Sequence, residues 1–582
     1  MIQAIRQLSI LNKVFNVRGS EWSNVLFSLI IRFFYRTAFV IGWTVLVALF
    51  VSRYGILSLP YLFVINAVFS MIGSFLYSLF FERYSRRAIM IGTIFIAGIL
   101  LFLSVRLAGI NQMLFFALLI VSISIFLNQL RIILIAYVEE MFTPLASERT
   151  FPIIEVAETL GGIIAGLAIT LLADVFALSN FIYLLISILF LMIPFIMFHK
   201  NETEEKGFLS HEHRHQESTN IFGKVSCAFK NKAYTPYIMG LIWIVLLQWM
   251  IFNLLEFQYL KAVYQNVSGV IFEAGSGFEH AFVHDLGLLF SLFSFSALVI
   301  EIFLGSRLIT HLGVVGAMLI HPIVTLLSLF GLIVRFDFLT AVLAKNNFTM
   351  TSVIHTNTYH ISYYALKEDF REEIREFLEG IIRPIGAIIG TVIVILLERF
   401  FVNQELVFYL NIAMLICTFI FFYVTYRQQD KYTRVAIHEL LNSKEKLERM
   451  NAIDILAQRG HKAALAPLKK VLLDENEPVS LRVKILKVLV ELKSPDIVLE
   501  IIQCLSSDKP EIYEAAIDTL TSFKFLQDIS PEYLFIKYRL ILALKRLYSI
   551  EKKQEILAKI IYLMSLLSNV STVEFLFKIL NS

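Results

Sequence analysis

Over 582 residues the chain is 57% hydrophobic and 17% charged, with a mean hydropathy of +0.72. A soluble domain is roughly 45–50% apolar and about 25% charged, so lipid is the expected solvent for most of this sequence. The net charge of +4 excludes the strongly basic face of a nucleic-acid binder, and Cys227, Cys417 and Cys504 are too scattered for a disulfide framework or a metal site.

Residues 1–22 carry Arg6, Lys13 and Arg18 but no short apolar run ending in a small-residue cleavage site, so the first span is expected to act as its own uncleaved signal. A spanning helix needs about 20 mostly apolar residues. Six such runs lie near 24–50, 58–80, 88–107, 113–136, 151–173 and 179–198, giving a first half over 1–200. A polar linker, 201–235, follows. Its His211, His213 and His215 alternate without the preset geometry a metal needs, so no metal or other cofactor is expected. Six further runs, near 236–259, 286–304, 313–335, 339–362, 379–398 and 405–426, make a second half over 236–427. Basic residues cluster in segments joining even to odd spans, which places these segments and both termini in the cytoplasm.

From 428 to 582 the hydropathy falls and apolar residues recur at spacings of three and four. Arg449–Leu456 reappears as Arg482–Leu489 at a shift of 33, and Glu477-Pro478 as Lys509-Pro510 at a shift of 32. This predicts a soluble, HEAT-like α-solenoid, whose helix pairs stack to bury their apolar faces. Such surfaces commonly bind proteins, so this domain is the candidate site for a cytoplasmic partner.

The membrane halves repeat as well. Glu82-Arg83 and Gly92 return as Ser306-Arg307 and Gly316 at a shift of 224, and Leu160–Ile164 aligns with Ile385–Ile389 at a shift of 225. The expected fold is therefore all-α, with about 12 transmembrane helices in two six-helix halves and a C-terminal solenoid. The turn Phe81–Arg87 resembles the loop between the second and third spans of major-facilitator-type transporters, whose substrate site lies near the bilayer midplane between the halves.

An ionisable group in a span costs about 2.5–3.5 kcal/mol on insertion scales, so each is a site candidate. These are Arg32, Arg36, Arg131, Glu155, Glu158, Glu256, Glu301, His355 and Arg383. The 225-residue shift carries Glu158 onto Arg383, so equivalent positions hold opposite charges. Glu155 and Glu158 are expected to pair with Arg131 or Arg383 as a cytoplasmic gate, flanked by Arg83 and Arg307 in the connecting turns; the competing reading is a permanent structural ion pair. Arg32 and Arg36 then remain as central positive charge, and with Glu256, Arg131 and His355 form the expected binding site for an anion. Stacking of these arginines on Phe33, Phe34 and Tyr35 is the alternative. Gly161, Gly162, Gly166, Gly386 and Gly390 read as packing positions.

Asn253-Leu-Leu-Glu256 with Lys261 and Gly287, Arg149-Thr-Phe-Pro152 with Gly161 and Gly166, and Gly42–Phe50 with Leu59-Pro60-Tyr61 resemble the ATP/ADP translocase (nucleotide transporter) family, in its bacterial form with a fused HEAT-like domain. The resemblance implies a nucleotide or related phosphate-bearing substrate, exchanged or co-transported across a bacterial inner membrane. It also matches Glu256 to an acidic residue important in that family. Two positions depart from it: Thr44 stands where the family places a lysine, and Arg383 is the candidate for the family's basic residue near the eleventh span.

The sequence has no phosphate-cradling glycine loop followed by Lys and Ser/Thr, and no nucleophile or acid–base constellation. The reading is a non-enzyme: a secondary transporter of an organic anion, lodged in the lipid bilayer and working by alternating access, as an antiporter or coupled to an ion. The competing function is a non-transporting anchor or sensor whose repeat domain recruits a cytoplasmic protein.

Overall fold

The computed structural model describes residues 21–81, 84–142, 144–199, 229, 232–270, 276–457, 462–492, 497–522, 534–567 and 570–580. Among these residues all regular structure is helical, and helices satisfy the backbone of a lipid-embedded segment internally. The first half comprises α1 (Trp22–Tyr54), α2 (Leu59–Phe81), α3 (Arg86–Leu107), α4 (Gln112–Val121) running through a π-helical turn into α5 (Asn128–Glu140), α6 (Pro144–Leu172) and α7 (Leu178–Phe198). The second comprises α8 (Thr235–Val270), α9 (Ser276–Ile300), α10 (Ser306–Met318), α11 (Ile320–Val334), α12 (Phe338–Ser362), α13 (Glu368–Phe377), α14 (Arg383–Phe400) and α15 (Asn403–Asn442).

Among the described residues ten helices are long and apolar enough to cross a membrane, or eleven when the pair His311–Met318 and Ile320–Val334, bent by 50°, counts as one span. Gly313 bends the chain within α10, at a φ of 70° that side chains rarely adopt. The expected tenth span is present as the 25-residue α12 but does not qualify by composition, because Lys345, Asn346, Asn347, His355, Asn357 and His360 make it polar. Three spans are interrupted by π-helical turns, Ser122–Leu127, Glu301–Gly305 and Leu378–Ile382, and the last two lie beside or within charged stretches. Such turns are frequent at functional positions.

The repeat read from the sequence reappears as packing. A Cβ on Gly161 of α6 would lie 2.6 Å from the Phe33 carbonyl oxygen of α1, and one on Gly386 of α14 would lie 2.5 Å from the Leu246 carbonyl oxygen of α8. Equivalent glycines thus let equivalent helix pairs approach backbone to backbone. Backbone cannot yield as a flexible side chain does, so alanine at either glycine is expected to cost about 1–3 kcal/mol through overpacking. Gly92→Ala is the control, because nothing lies within 4 Å of its would-be Cβ. Melting temperatures of the three variants in detergent check this.

The chain packs as two units: one within 1–230, 238–361 and 372–428, the other within 231–237, 362–371 and 429–582. In the second unit, α16 (Lys446–Ala457), α18 (Val479–Leu492), α20 (Pro510–Thr521) and α22 (Gln554–Leu566) stack in succession, and α17 (Lys462–Leu473), α19 (Val498–Cys504) and α21 (Leu534–Ile550) form a parallel row, followed by α23 (Val570–Leu580). Leu468, Ile485, Ile512 and Leu544 are fully buried along this stack, the layered core of an α-solenoid. The repeated arginines do the same job in successive layers. Arg449 Nε donates to the Leu440 carbonyl at 2.9 Å, and Arg482 Nε to the Leu472 carbonyl at 2.8 Å.

Candidate functional site

In the first unit charged side chains of α1, α5, α6 and α14 lie within electrostatic reach of one another. Arg32, on the apolar α1, is 6% exposed. Glu155 and Glu158, three residues apart, share one face of α6. Arg32 Nη1 bonds both, at 2.9 Å to Glu155 Oε1 and 2.6 Å to Glu158 Oε2. Arg36, one turn further along α1, lies 3.9 Å from the other Glu158 oxygen and 5.7 Å over the Phe290 ring of the second half.

This corrects the expected pairing of these acids with Arg131 or Arg383. The glycine-mediated approach of α1 to α6 brings Arg32 to the carboxylates first. Arg383 is held on its own span instead, 3.0 Å from Glu379 one turn earlier, and its guanidinium lies 3.7 Å over the Trp249 ring. Arg32 is consequently not the free central cation expected from the sequence. Arg36 keeps only a long pairing.

Arg131 fills that vacancy. It lies within electrostatic reach of Glu158 in its own half and Glu379 in the other, beside the Tyr35 hydroxyl, which donates to the Leu127 carbonyl at 3.1 Å. No carboxylate among the described residues is within 4 Å of it, and its Nε is buried without a partner. Glu301, 7% exposed at the start of its π-helical turn, accepts from the Thr159 hydroxyl of the opposite half at 3.1 Å. His360, which the sequence reading passed over, lies within reach of Glu379, Glu155 and Arg32.

The remaining expected site residues lie elsewhere. Glu256 is 2.5 Å from the ammonium of Lys345, itself 4.2 Å over the Phe252 ring, so its charge already has a protein partner. Lys345 meets the same criterion that singled out Glu256, but it stands in the most polar span, where one more polar residue is inconspicuous. His355 is fully buried inside the second half, its ring 5.2 Å from that of His321, and does not join the arginine cluster. Arg307 is exposed on α10. Arg83 and His211, His213 and His215 lie outside the described residues. Among the described residues no group of three or more His, Cys, Asp or Glu is placed to hold a metal. At the far end of α1 a second tie joins the halves: Ser52 Oγ donates to Glu279 Oε1 at 2.8 Å, with Arg53 at 3.8 Å.

No curated protein sequence matches the chain. Among solved structures it is similar to the nucleoside transporter NupG, at 13% identity over 70% of this chain and 99% of that one, with a TM-score of 0.49. It is also similar to a point mutant of NupG, at 14% identity over 70% and 99% with a TM-score of 0.51. A POT family transporter in complex with a thioalcohol-conjugated peptide matches at 13% identity over 69% and 96%, with a TM-score of 0.47. At such identities the likeness reports the fold alone. The family model described as Major Facilitator Superfamily matches residues 25–365, and on a match of more than half its length the chain belongs to that superfamily of multi-pass membrane transporters.

Proposed function

We propose that this secondary transporter carries a small organic anion, nucleotide-like or otherwise phosphate-bearing, by alternating access, as an antiporter or coupled to an ion. The observation behind this reading is Arg131, a guanidinium between the halves that no described carboxylate claims. Its neighbours Arg36 and Arg383 hold their counter-charges loosely or share them with an aromatic ring. A phosphate or carboxylate supplies what Arg131 lacks, and planar guanidinium forks suit both. Because Arg131 senses an acid of each half, an anion seated on it changes the charge balance across the interface about which the halves rock.

The narrower choice of a nucleotide rests on the sequence resemblance to ATP/ADP translocases, with the solenoid read as their HEAT-like extension. The same resemblance and the distribution of basic loops support a bacterial inner membrane with both termini cytoplasmic. A thermal-shift screen of purified full-length protein against nucleotides, sugar phosphates and carboxylates tests the substrate class. A ligand present at 100 times its Kd stabilises by about 2.7 kcal/mol, and the same compound is expected to show saturable uptake into proteoliposomes. No shift and no flux with any anion would sink the reading in favour of the anchor.

A further inference from the structure

We propose that Glu439 and Glu448 form one proton-binding site in the second unit, and that its proton controls how that unit holds the chain segments 231–237 and 362–371. All the groups concerned lie within this unit. Glu439, near the end of α15, is 6% exposed; its Oε1 accepts from the Tyr234 hydroxyl and faces His438 Nδ1 at 3.3 Å. Its Oε2 is buried without a partner. Glu448, on α16, accepts from the Ser443 hydroxyl.

Both carboxyls line a single cavity with Tyr364, Leu366, Arg371 and Asn451. The cavity measures ≈ 10 Å³, room for about one water. Two carboxylates sharing so small a space repel when both are ionised, whereas one proton between them turns repulsion into a hydrogen bond. The cations nearby do not remove the need for it. Arg371 is turned to the Leu366 carbonyl at 3.2 Å and stacks 4.6 Å over the Tyr364 ring, while Arg449 is paired with Glu477 at 2.6 Å. Lys367 is left to act on Glu448 from a distance.

Burial, and the Glu439 carboxyl beside it, push Glu448 above the usual carboxylate range against the opposing pull of Ser443 and Lys367. Burial and Glu439 also push the Tyr234 phenol up, so Tyr234 remains a donor throughout. For a carboxyl raised in the folded state the sign is fixed: the hold is complete below the ordinary carboxylate pKa and is lost as pH climbs through the raised value. The grip therefore tightens in acid and slackens towards neutral and alkaline pH. The gripped segments open α8 and link α12 to α13 in sequence, so the proton state bears on the second membrane half through covalent continuity.

Hydrogen exchange of the full-length protein, converted to protection factors to remove the intrinsic pH effect, tests this from the ordinary carboxylate range upward to mildly alkaline pH. Protection of 231–237 and 362–371 is expected to fall about tenfold across the range in the wild type, the equivalent of one lost hydrogen bond. It should stay high and flat in Glu448→Gln, which keeps a donor in place. A flat wild-type profile, or an unchanged pH dependence in Glu448→Gln, overturns the proposal. Ser443→Ala decides the matter if that variant does not fold: it removes a bond favouring the ionised form and must move the transition to higher pH, and an unmoved midpoint is equally fatal. The readout is protection and not flux, so a failure of the anion-transport reading leaves this result standing.

Discussion

Arg32→Ala is expected to cost about 3–5 kcal/mol of stability, seen as a marked fall in melting temperature in detergent. The substitution leaves Glu155 and Glu158 facing α1 without the guanidinium that bonds both. A buried carboxylate deprived of its cation loses the attraction that offset its desolvation, and Arg36 at 3.9 Å is too distant to replace two short bonds. Lysine at position 32 restores the charge but offers a single point in place of a fork and should recover only part of the loss. Removing both acids together with the arginine, as Arg32→Met with Glu155→Gln and Glu158→Gln, should recover most of it, because replacing a whole buried ion network is often close to neutral. Joint reversal of Glu158 and Arg383 should give no rescue. Rescue by that pair would show that the acids change partners during transport, contrary to a permanent tie with Arg32.

Arg131→Gln should behave in the opposite way, leaving the melting temperature of the ligand-free protein nearly unchanged while transport suffers. No described carboxylate depends on Arg131 for an ion pair. On the proposed reading its removal takes away a charge-assisted bond to the anion, worth about 1.5–3 kcal/mol, or roughly 10- to 100-fold in apparent affinity. Proteoliposome uptake measured with the compound found by thermal shift reads this directly. Arg131→Lys keeps the charge without the fork, and its residual activity measures how much of the recognition is bidentate. A variant that unfolds but transports normally when rescued by low temperature would make Arg131 a structural residue.

Much of the fold was legible because lipid imposes simple rules. Long apolar runs became helices, and Gly161 with Gly386 marked matching helix contacts 225 residues apart. The run read at 339–362 became the helix α12, whose composition does not qualify it as a span. The charged residues themselves were legible, because an ionisable group in a span is conspicuous, but their partners were not. Partner choice depends on which backbones approach closely and on rotamers that carry a guanidinium several ångströms. Arg383 illustrates this: its acid, Glu379, was one turn away on the same span, yet sequence symmetry drew attention to the other half. His355 and His360 differ by five residues on α12, and only the second lies near the cluster.

The matching contacts of Gly161 with Phe33 and Gly386 with Leu246 put Arg36 and Trp249 in corresponding places, just as Glu158 corresponds to Arg383. One ancestral socket thus has two occupancies: a carboxylate facing a guanidinium in the first half, and a guanidinium lying on an indole in the second. An indole face attracts a cation through its quadrupole, carries no charge and cannot be titrated. A protein assembled from two copies of the first half would set a carboxylate against an arginine at both sockets, whereas here the second socket holds its cation against a neutral ring. The two halves therefore answer a change of pH differently at equivalent positions, since only the first socket contains an acid.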